Sequence, residues 1–330
     1  MKGSAPLERG SSFRTITGIM AEPDDIAGAV LMPGREEARW GTGNLIAAAG
    51  GLAIELSLTM NEFAGRRVII TGAGRGLGRG IADAFADAGA SVMIGARTMS
   101  FADEALDAIR SRGGTAQICE LDAKQRDSCE RLIAATVAAF GGVDVVIHCA
   151  ADIAHGGLGH VTDEALEAGF ASIAKAAWWL LEAARPHLAR SPGGGRFIAI
   201  GSVNGTSTTV PSMTAYGMAK AALDAFVRGA ALDVVRDNIT VNAINPGLVA
   251  SARAKAVLGD EGLMAYGATV PVGRAGTPAD IAHGCFFLAS EKAGYITGTS
   301  IRMDGGSSLH PGGGGRGDIL QDRLEAQRQK

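Results

Sequence analysis

The stretch "RVIITGAGRGLGRG", residues 67–80, decides the fold of this 330-residue chain. A short apolar run, typical of a strand buried on both faces, leads directly into a glycine-rich turn and then into a helical pattern. Gly72 permits a tight turn, Gly76 lets the backbone approach a diphosphate, and Gly78 allows the helix to pack closely on the strand. Because the helix N-terminus would then face the anion, the stretch predicts a dinucleotide-binding loop.

The rest of the chain repeats this alternation of apolar, β-branched runs with alanine-rich helical segments. The predicted strands are "RVIIT" (67–71), "SVMIG" (91–95), "AQICEL" (116–121), "VDVVIHC" (143–149), "RFIAIG" (196–201), "NITVNAI" (238–244) and "SIRM" (300–303). Strands that alternate with helices form parallel sheets with right-handed crossovers. The pattern therefore predicts a doubly wound α/β fold with helices on both faces of the sheet, in one domain over residues 60–309.

The two ends of the chain differ from this domain. Residues 1–59 have no sustained period, and their apolar segment 44–58 is interrupted by Glu55 and too short to span a bilayer. Because Met60 directly precedes the first patterned segment, residues 1–59 are interpreted as a poorly ordered extension, a docking arm or a non-native start. Residues 310–330 form a polar, glycine-led tail that is loose or forms a short exposed helix.

Composition excludes some classes of partner. The net charge of −3 argues against nucleic acid or an anionic membrane, because either partner favours a basic surface. The four cysteines are Cys119, Cys129, Cys149 and Cys285, and they show neither a CxxC pair nor a metal-ligand spacing. We therefore expect reduced thiols, a cytoplasmic protein and no metal site.

The end of the second predicted strand bears on which dinucleotide binds. A carboxylate at this point would bind the free 2′-hydroxyl of NAD, but the chain has Ala96 and Arg97 there. Arg75 lies inside the glycine loop, and two guanidiniums suit a 2′-phosphate. NADP is therefore the preferred cofactor and NAD a possible one, with the alternative that Arg97 is a solvated loop residue.

The segment "TAYGMAK" (214–220) carries a candidate for proton transfer. Tyr216 and Lys220 are four residues apart and lie on the same face of a helix. An ammonium beside a phenol favours the ionised form of the phenol. An ordinary amphipathic helix has the same spacing, so the pair alone is weak evidence.

Taken together, several motifs in order resemble the short-chain dehydrogenase/reductase family, in its shorter branch, over residues 61–309. These motifs are "TGAGRGLG" (71–78), "GSVNG" (201–205), "YGMAK" (216–220), "NPGLVAS" (245–251), "GRAGTPADIA" (273–282) and "MDGG" (303–306). The resemblance implies a Rossmann fold with a mainly seven-stranded parallel sheet and a homodimer or homotetramer. It also implies an NAD(P)-dependent oxidoreductase that interconverts a ketone and a secondary alcohol by hydride transfer (EC 1.1.1).

The resemblance also implies roles for the catalytic residues. Tyr216 is the general acid during reduction and the base in reverse, Ser202 holds the reacting oxygen, and Lys220 binds the nicotinamide ribose. We expect Lys220 to bring the pKa of Tyr216 from about 10 to near 7. The cofactor residues are Gly72, Arg75, Gly76, Leu77, Gly78, Arg97, Asp122, Ala150, Tyr216, Lys220, Pro246, Gly247 and Ser251.

The substrate pocket is predicted from Ile153, Val203, Asn204 and Met213, under a lid formed by residues 248–271. These residues suggest a mainly apolar pocket, without a basic cluster that would demand a phosphorylated or carboxylated substrate. A small or medium ketone is the expected substrate class.

Two departures from the family leave alternatives open. The fourth strand ends in "HCAA" (148–151), where His148 and Cys149 replace the amides that usually tie this strand to its neighbours. His148 is interpreted as structural rather than catalytic. The family's helix asparagine, which helps hold a proton-relay water, falls on Ile173, or on Ser172 if the register slips. Because the main chain also contributes to that water, we expect slower turnover rather than none.

These departures motivate a rival hypothesis, a weakly active or inactive dinucleotide-binding sensor or interaction protein. A sugar-nucleotide epimerase is a weaker alternative, for which "IHCAA" (147–151) is the one hint and the short C-terminal part is contrary evidence. The intact set of Ser202, Tyr216 and Lys220 favours the enzyme.

Overall fold

The computed structural model describes residues 62–309, so the predictions for residues 1–59 and 310–330 lie outside the described residues. The strands are β1 (Arg67–Thr71), β2 (Ser91–Ala96), β3 (Thr115–Glu120), β4 (Val145–His148), β5 (Gly195–Ile200), β6 (Ile239–Pro246) and β7 (Ser300–Met303). The helices are α1 (Gly76–Asp87), α2 (Met99–Ser111), α3 (Arg126–Phe140), α4 (Asp163–Phe170), α5 (Ala176–Leu188), α6 (Thr214–Val234), α7 (Ala252–Thr269) and α8 (Pro278–Ala289). A π-helical turn, Ala171–Lys175, joins α4 to α5.

The strands form one seven-stranded sheet in the order β3-β2-β1-β4-β5-β6-β7, and every neighbouring pair is parallel. This confirms the predicted doubly wound fold. The strand order reverses between β1 and β4, and ligands of such sheets bind beyond the carboxyl ends of the strands at this point.

Both faces of the sheet are covered, which explains why the strands are nearly continuous in apolar character. Successive residues of β1 point to opposite faces. Val68 and Ile70 belong to an apolar cluster with residues of α1, α2 and α8. Ile69 belongs to a second cluster with residues of α3, α5 and α6.

Strand β4 is shorter than the predicted run 143–149. It begins after Asp144, whose carboxylate accepts hydrogen bonds at 2.7 Å from Nε and Nη2 of Arg67. This ion pair joins the start of β1 to the turn before β4.

Among the described residues, none of the helices has the length and apolar character needed to cross a membrane.

Candidate active site

The carboxyl ends of the strands border one cleft with a cavity volume of about 470 Å³. All of the residues predicted for cofactor, catalysis and substrate line it: Gly72, Arg75, Gly76, Leu77, Gly78, Arg97, Asp122, Ala150, Ile153, Ser202, Val203, Asn204, Met213, Tyr216, Lys220, Pro246, Gly247 and Ser251. The structure thus brings these residues together, while the role of each stays a prediction.

The glycine loop between β1 and α1 fits a dinucleotide diphosphate. Gly72 has a φ of +70°, and a Cβ there would lie 2.9 Å from Cα of Ala150 on the neighbouring strand end. A Cβ on Gly78 would lie 2.5 Å from the carbonyl oxygen of Gly72. Arg75 precedes α1 without a side-chain hydrogen bond to its first turn. The backbone N–H groups at this helix start therefore suit an anion.

The far end of the cleft carries the two arginines expected to favour NADP. Arg97 is mostly exposed, and its Nη1 lies 3.2 Å from both carboxylate oxygens of Asp152. Lys124 Nζ lies 3.7 Å from the same carboxylate. The Arg75 guanidinium lies 5.0 Å from the ring centre of Phe101. Arg97 is thus held by Asp152, a residue that sequence reasoning did not single out.

Tyr216, Ser202 and Lys220 meet where β5 ends and α6 begins. The Ser202 side chain hydrogen bonds with the Tyr216 phenol. Lys220, one turn further along α6, is buried, and its Nζ donates to the carbonyl oxygen of Ile200 at 2.6 Å. The same Nζ lies 5.6 Å from the centre of the Tyr216 ring.

The expectation that Lys220 lowers the pKa of Tyr216 toward 7 is wrong for this arrangement. Burial raises the pKa of Tyr216 to about 12, although the hydrogen bond with Ser202 lowers it in part. Burial also lowers the pKa of Lys220 to about 8. Desolvation of the charged form is the main cause of both shifts, and Lys220 Nζ donates to the Ile200 carbonyl oxygen. Tyr216 is therefore protonated at neutral pH, which suits a proton donor.

His148 is the centre of a satisfied hydrogen-bond network. Its Nε2 lies 3.0 Å from the carbonyl oxygen of Ile173, and its Nδ1 lies 2.9 Å from Oγ1 of Thr71. Because a carbonyl accepts and never donates, Nε2 carries the proton and Nδ1 accepts from the Thr71 hydroxyl. Thr71 Oγ1 in turn accepts from the backbone N–H groups of Cys149 and Ala150, at 3.0 Å each. His148 thus ties β4 to β1 and to the π-helical turn.

The position of the family's helix asparagine lies in the π-helical turn. Ser172 Oγ accepts a hydrogen bond from the backbone N–H of Asp152 at 2.9 Å. The carbonyl of Ile173 is engaged by His148 Nε2. The main chain at this position was expected to help hold a relay water. Its carbonyl group is instead hydrogen bonded with His148.

The lid is helical, and it places a basic residue on the cleft. Helix α7 contains a break at Gly259, where φ is +68°. In the first turn of α7, Arg253 places its Nη2 3.5 Å from Nε2 of His155, and both residues line the cleft. The expectation was a mainly apolar pocket without a basic cluster, and the pair found here is one arginine beside one histidine. Because Arg253 and His155 are 98 positions apart, no local sequence pattern predicts their contact.

Known proteins resemble this chain in sequence and in fold. A family model described as enoyl-(acyl carrier protein) reductase matches residues 72–308. A 2,5-dichloro-2,5-cyclohexadiene-1,4-diol dehydrogenase from Sphingobium indicum is 36% identical over 249 residues, which are 76% of this chain and 98% of that protein. A probable tetrahydroxynaphthalene reductase from Zymoseptoria tritici is 32% identical over 270 residues, 78% of this chain and 100% of the relative. The structure of a short-chain type dehydrogenase/reductase from Mycobacterium ulcerans superposes with a TM-score of 0.70 at 31% identity, covering 75% of this chain and 91% of that one.

Proposed function

Because the chain belongs to the short-chain dehydrogenase/reductase family and is an NAD(P)-dependent oxidoreductase, we propose that it interconverts a ketone and a secondary alcohol by hydride transfer. The observation that carries this proposal is the meeting of Ser202, Tyr216 and Lys220 on the wall of the cleft, with Lys220 Nζ 5.6 Å from the centre of the Tyr216 ring. Absorbance at 340 nm during incubation of the protein with NADPH and a panel of ketones tests it. Oxidation that depends on the ketone supports the proposal.

Residues that line the cleft would bind the cofactor, hold the substrate and transfer the proton. The glycine loop and the start of α1 bind the diphosphate, and Lys220 and Ser251 orient the nicotinamide end. The bound dinucleotide supplies the hydride. Ser202 holds the carbonyl oxygen, and Tyr216 donates its proton to that oxygen. Since the pKa of Tyr216 is about 12, the phenol carries this proton throughout the neutral pH range.

The substrate we propose is a small or medium ring ketone or the corresponding secondary alcohol. Ile153, Val203 and Met213 give the substrate side of the cleft an apolar wall. The two relatives described above are named for a naphthalene and a cyclohexadiene substrate, both of which are ring compounds.

We propose that NADPH binds more tightly than NADH, and that Arg97 is the main cause. Arg97→Ala is expected to weaken NADPH binding about 10- to 100-fold and to leave NADH binding unchanged, because charge-assisted hydrogen bonds to the 2′-phosphate are lost. Fluorescence titration with each cofactor measures both dissociation constants.

Arg79→Ala is the matched control, because Arg79 pairs with Asp83 on α1 and does not line the cleft. A wild-type protein that prefers NADH, or an Arg97→Ala variant that keeps the wild-type affinity for NADPH, would show that Arg97 is a solvated loop residue. An equal loss of both cofactors would show that Arg97 does not select for the 2′-phosphate.

We propose a homodimer or homotetramer that buries the outer face of α5 and α6. Trp178, Met218 and Leu232 lie on these helices with exposed fractions of 55%, 50% and 58%. A contiguous patch of exposed apolar side chains marks an interface, and these three are the large exposed apolar residues of the two helices. Trp178→Glu is expected to lower the mass measured by light scattering, whereas Leu158→Glu, in the loop before α4, leaves it unchanged. A monomeric wild-type protein rules the interface out.

We propose a cytoplasmic location and a small-molecule substrate as the partner. Cys129 and Cys285 are free and fully buried, and burial raises the pKa of Cys129 to about 12. Free thiols are typical of a reducing compartment.

A further inference from the structure

The substrate side of the cleft ends in a basic pair formed by Arg253 of α7 and His155 of the loop after β4. Nη2 of Arg253 lies 3.5 Å from Nε2 of His155, and both side chains line the cleft that also contains Tyr216. A guanidinium has donors and no acceptor, so Nε2 of His155 accepts this contact with its lone pair. The guanidinium therefore keeps further donors for a ligand.

The charge of Arg253 has no carboxylate partner among residues 62–309. Other cations near it in sequence do have one: Lys255 Nζ lies 2.9 Å from Asp260, and Arg274 Nη1 lies 2.7 Å from Asp280. The first turn of α7 also contains no acidic residue, although the positive end of a helix dipole favours one. The positive end of the α7 dipole and the Arg253 guanidinium thus both contribute positive electrostatic potential at the cleft.

This charge acts at the proposed reaction centre. Burial dominates the pKa of Tyr216, but the Arg253 charge lowers it. Arg253 therefore lies close enough to influence the group that would donate the proton. Arg253 and Tyr216 line the same cleft, so a single ligand can contact both.

We propose that Arg253, assisted by His155, binds a carboxylate of the substrate, so that the substrate class is a carbonyl compound bearing a carboxylate. A guanidinium matches the planar carboxylate and forms two parallel hydrogen bonds with it. The apolar wall of Ile153, Val203 and Met213 then holds the remainder of the molecule. This inference rests on the proposed function and narrows its substrate.

Binding of matched acids and esters tests the inference. The NADPH-loaded protein is titrated calorimetrically with phenylglyoxylate and 4-acetylbenzoate, whose carboxylates lie at different distances from the carbonyl, and with their methyl esters. We expect at least one acid to bind about tenfold more tightly than its ester, because charge-assisted hydrogen bonds are lost in the ester. Arg253→Gln removes this difference, whereas Lys255→Gln, an exposed neighbour paired with Asp260, retains it.

Two results would overturn the inference. In the first, neither acid binds the wild-type protein more tightly than its ester. In the second, Arg253→Gln weakens NADPH binding itself, which would assign Arg253 to the cofactor diphosphate. Failure of the proposed function is distinguished from these two results by turnover, because the wild-type protein would then reduce neither the acids nor the esters.

Discussion

Tyr216→Phe lowers kcat for ketone reduction about 10²- to 10⁴-fold, the usual contribution of a positioned proton donor. Phenylalanine keeps the ring and its packing but removes the hydroxyl that hydrogen bonds with Ser202. Cofactor binding is expected to persist, because the glycine loop and Arg97 are unchanged. Absorbance at 340 nm gives kcat and KM, and fluorescence titration gives the dissociation constant of NADPH.

Tyr295→Phe is the control for this variant, since Tyr295 lies outside the lining of the cleft. It should retain wild-type kcat. If Tyr216→Phe also retains kcat, the proton comes from another group, and the role assigned to Tyr216 is wrong.

The second large effect is on stability and depends on pH. Burial lowers the pKa of His148 from 6.5 to about 4 in the folded protein. Between these values the unfolded chain binds a proton that the folded chain does not, so unfolding becomes easier as pH falls. The contribution of His148 is complete above pH 6.5, and about 3 kcal/mol of it is lost by pH 4.

Urea unfolding of wild type and His148→Gln between pH 7 and pH 4 measures this effect. Glutamine retains a donor and an acceptor but does not titrate. The free energy of unfolding of the variant should therefore fall about 3 kcal/mol less than that of the wild type over this pH range. His148→Gln is also expected to be less stable at pH 7, because a glutamine cannot bridge Thr71 and Ile173 in the same way.

His160→Gln is the control variant, because His160 is exposed and is not part of the hydrogen-bond network of His148. Parallel pH profiles for wild type and His148→Gln would mean that the imidazole is protonated without cost in the folded state.

The fold was predictable because its signals are local. Each strand lies in a short apolar run, and the glycine loop joins β1 to α1 within a few residues. The close approach of Gly78 to Gly72 is a local requirement of the turn, so the glycine pattern alone indicates it. The start of β4 was less predictable, because the ion pair of Asp144 with Arg67 spans 77 positions.

The site was predictable in its position but not in its electrostatics. The motifs indicated which residues line the cleft, yet the contact of Arg97 with Asp152 joins residues 55 positions apart. The pKa of Tyr216 depends on burial by several elements of the fold. The spacing of Tyr216 and Lys220 in the sequence gives no information on this burial. The pairing of Arg253 with His155 likewise arises from the packing of the lid over the β4 loop.

Deuterium transfer tests most directly whether hydride passes from NADPH to a substrate carbonyl in this cleft. The protein is incubated with NADPH deuterated at C4 of the nicotinamide and with 1-tetralone, phenylglyoxylate or 4-acetylbenzoate, and the alcohols are analysed by mass spectrometry. We expect one deuterium on the carbinol carbon of at least one product, and its loss in Tyr216→Phe. Tight NADPH binding with no deuterium in any product would contradict hydride transfer and favour a dinucleotide-binding sensor.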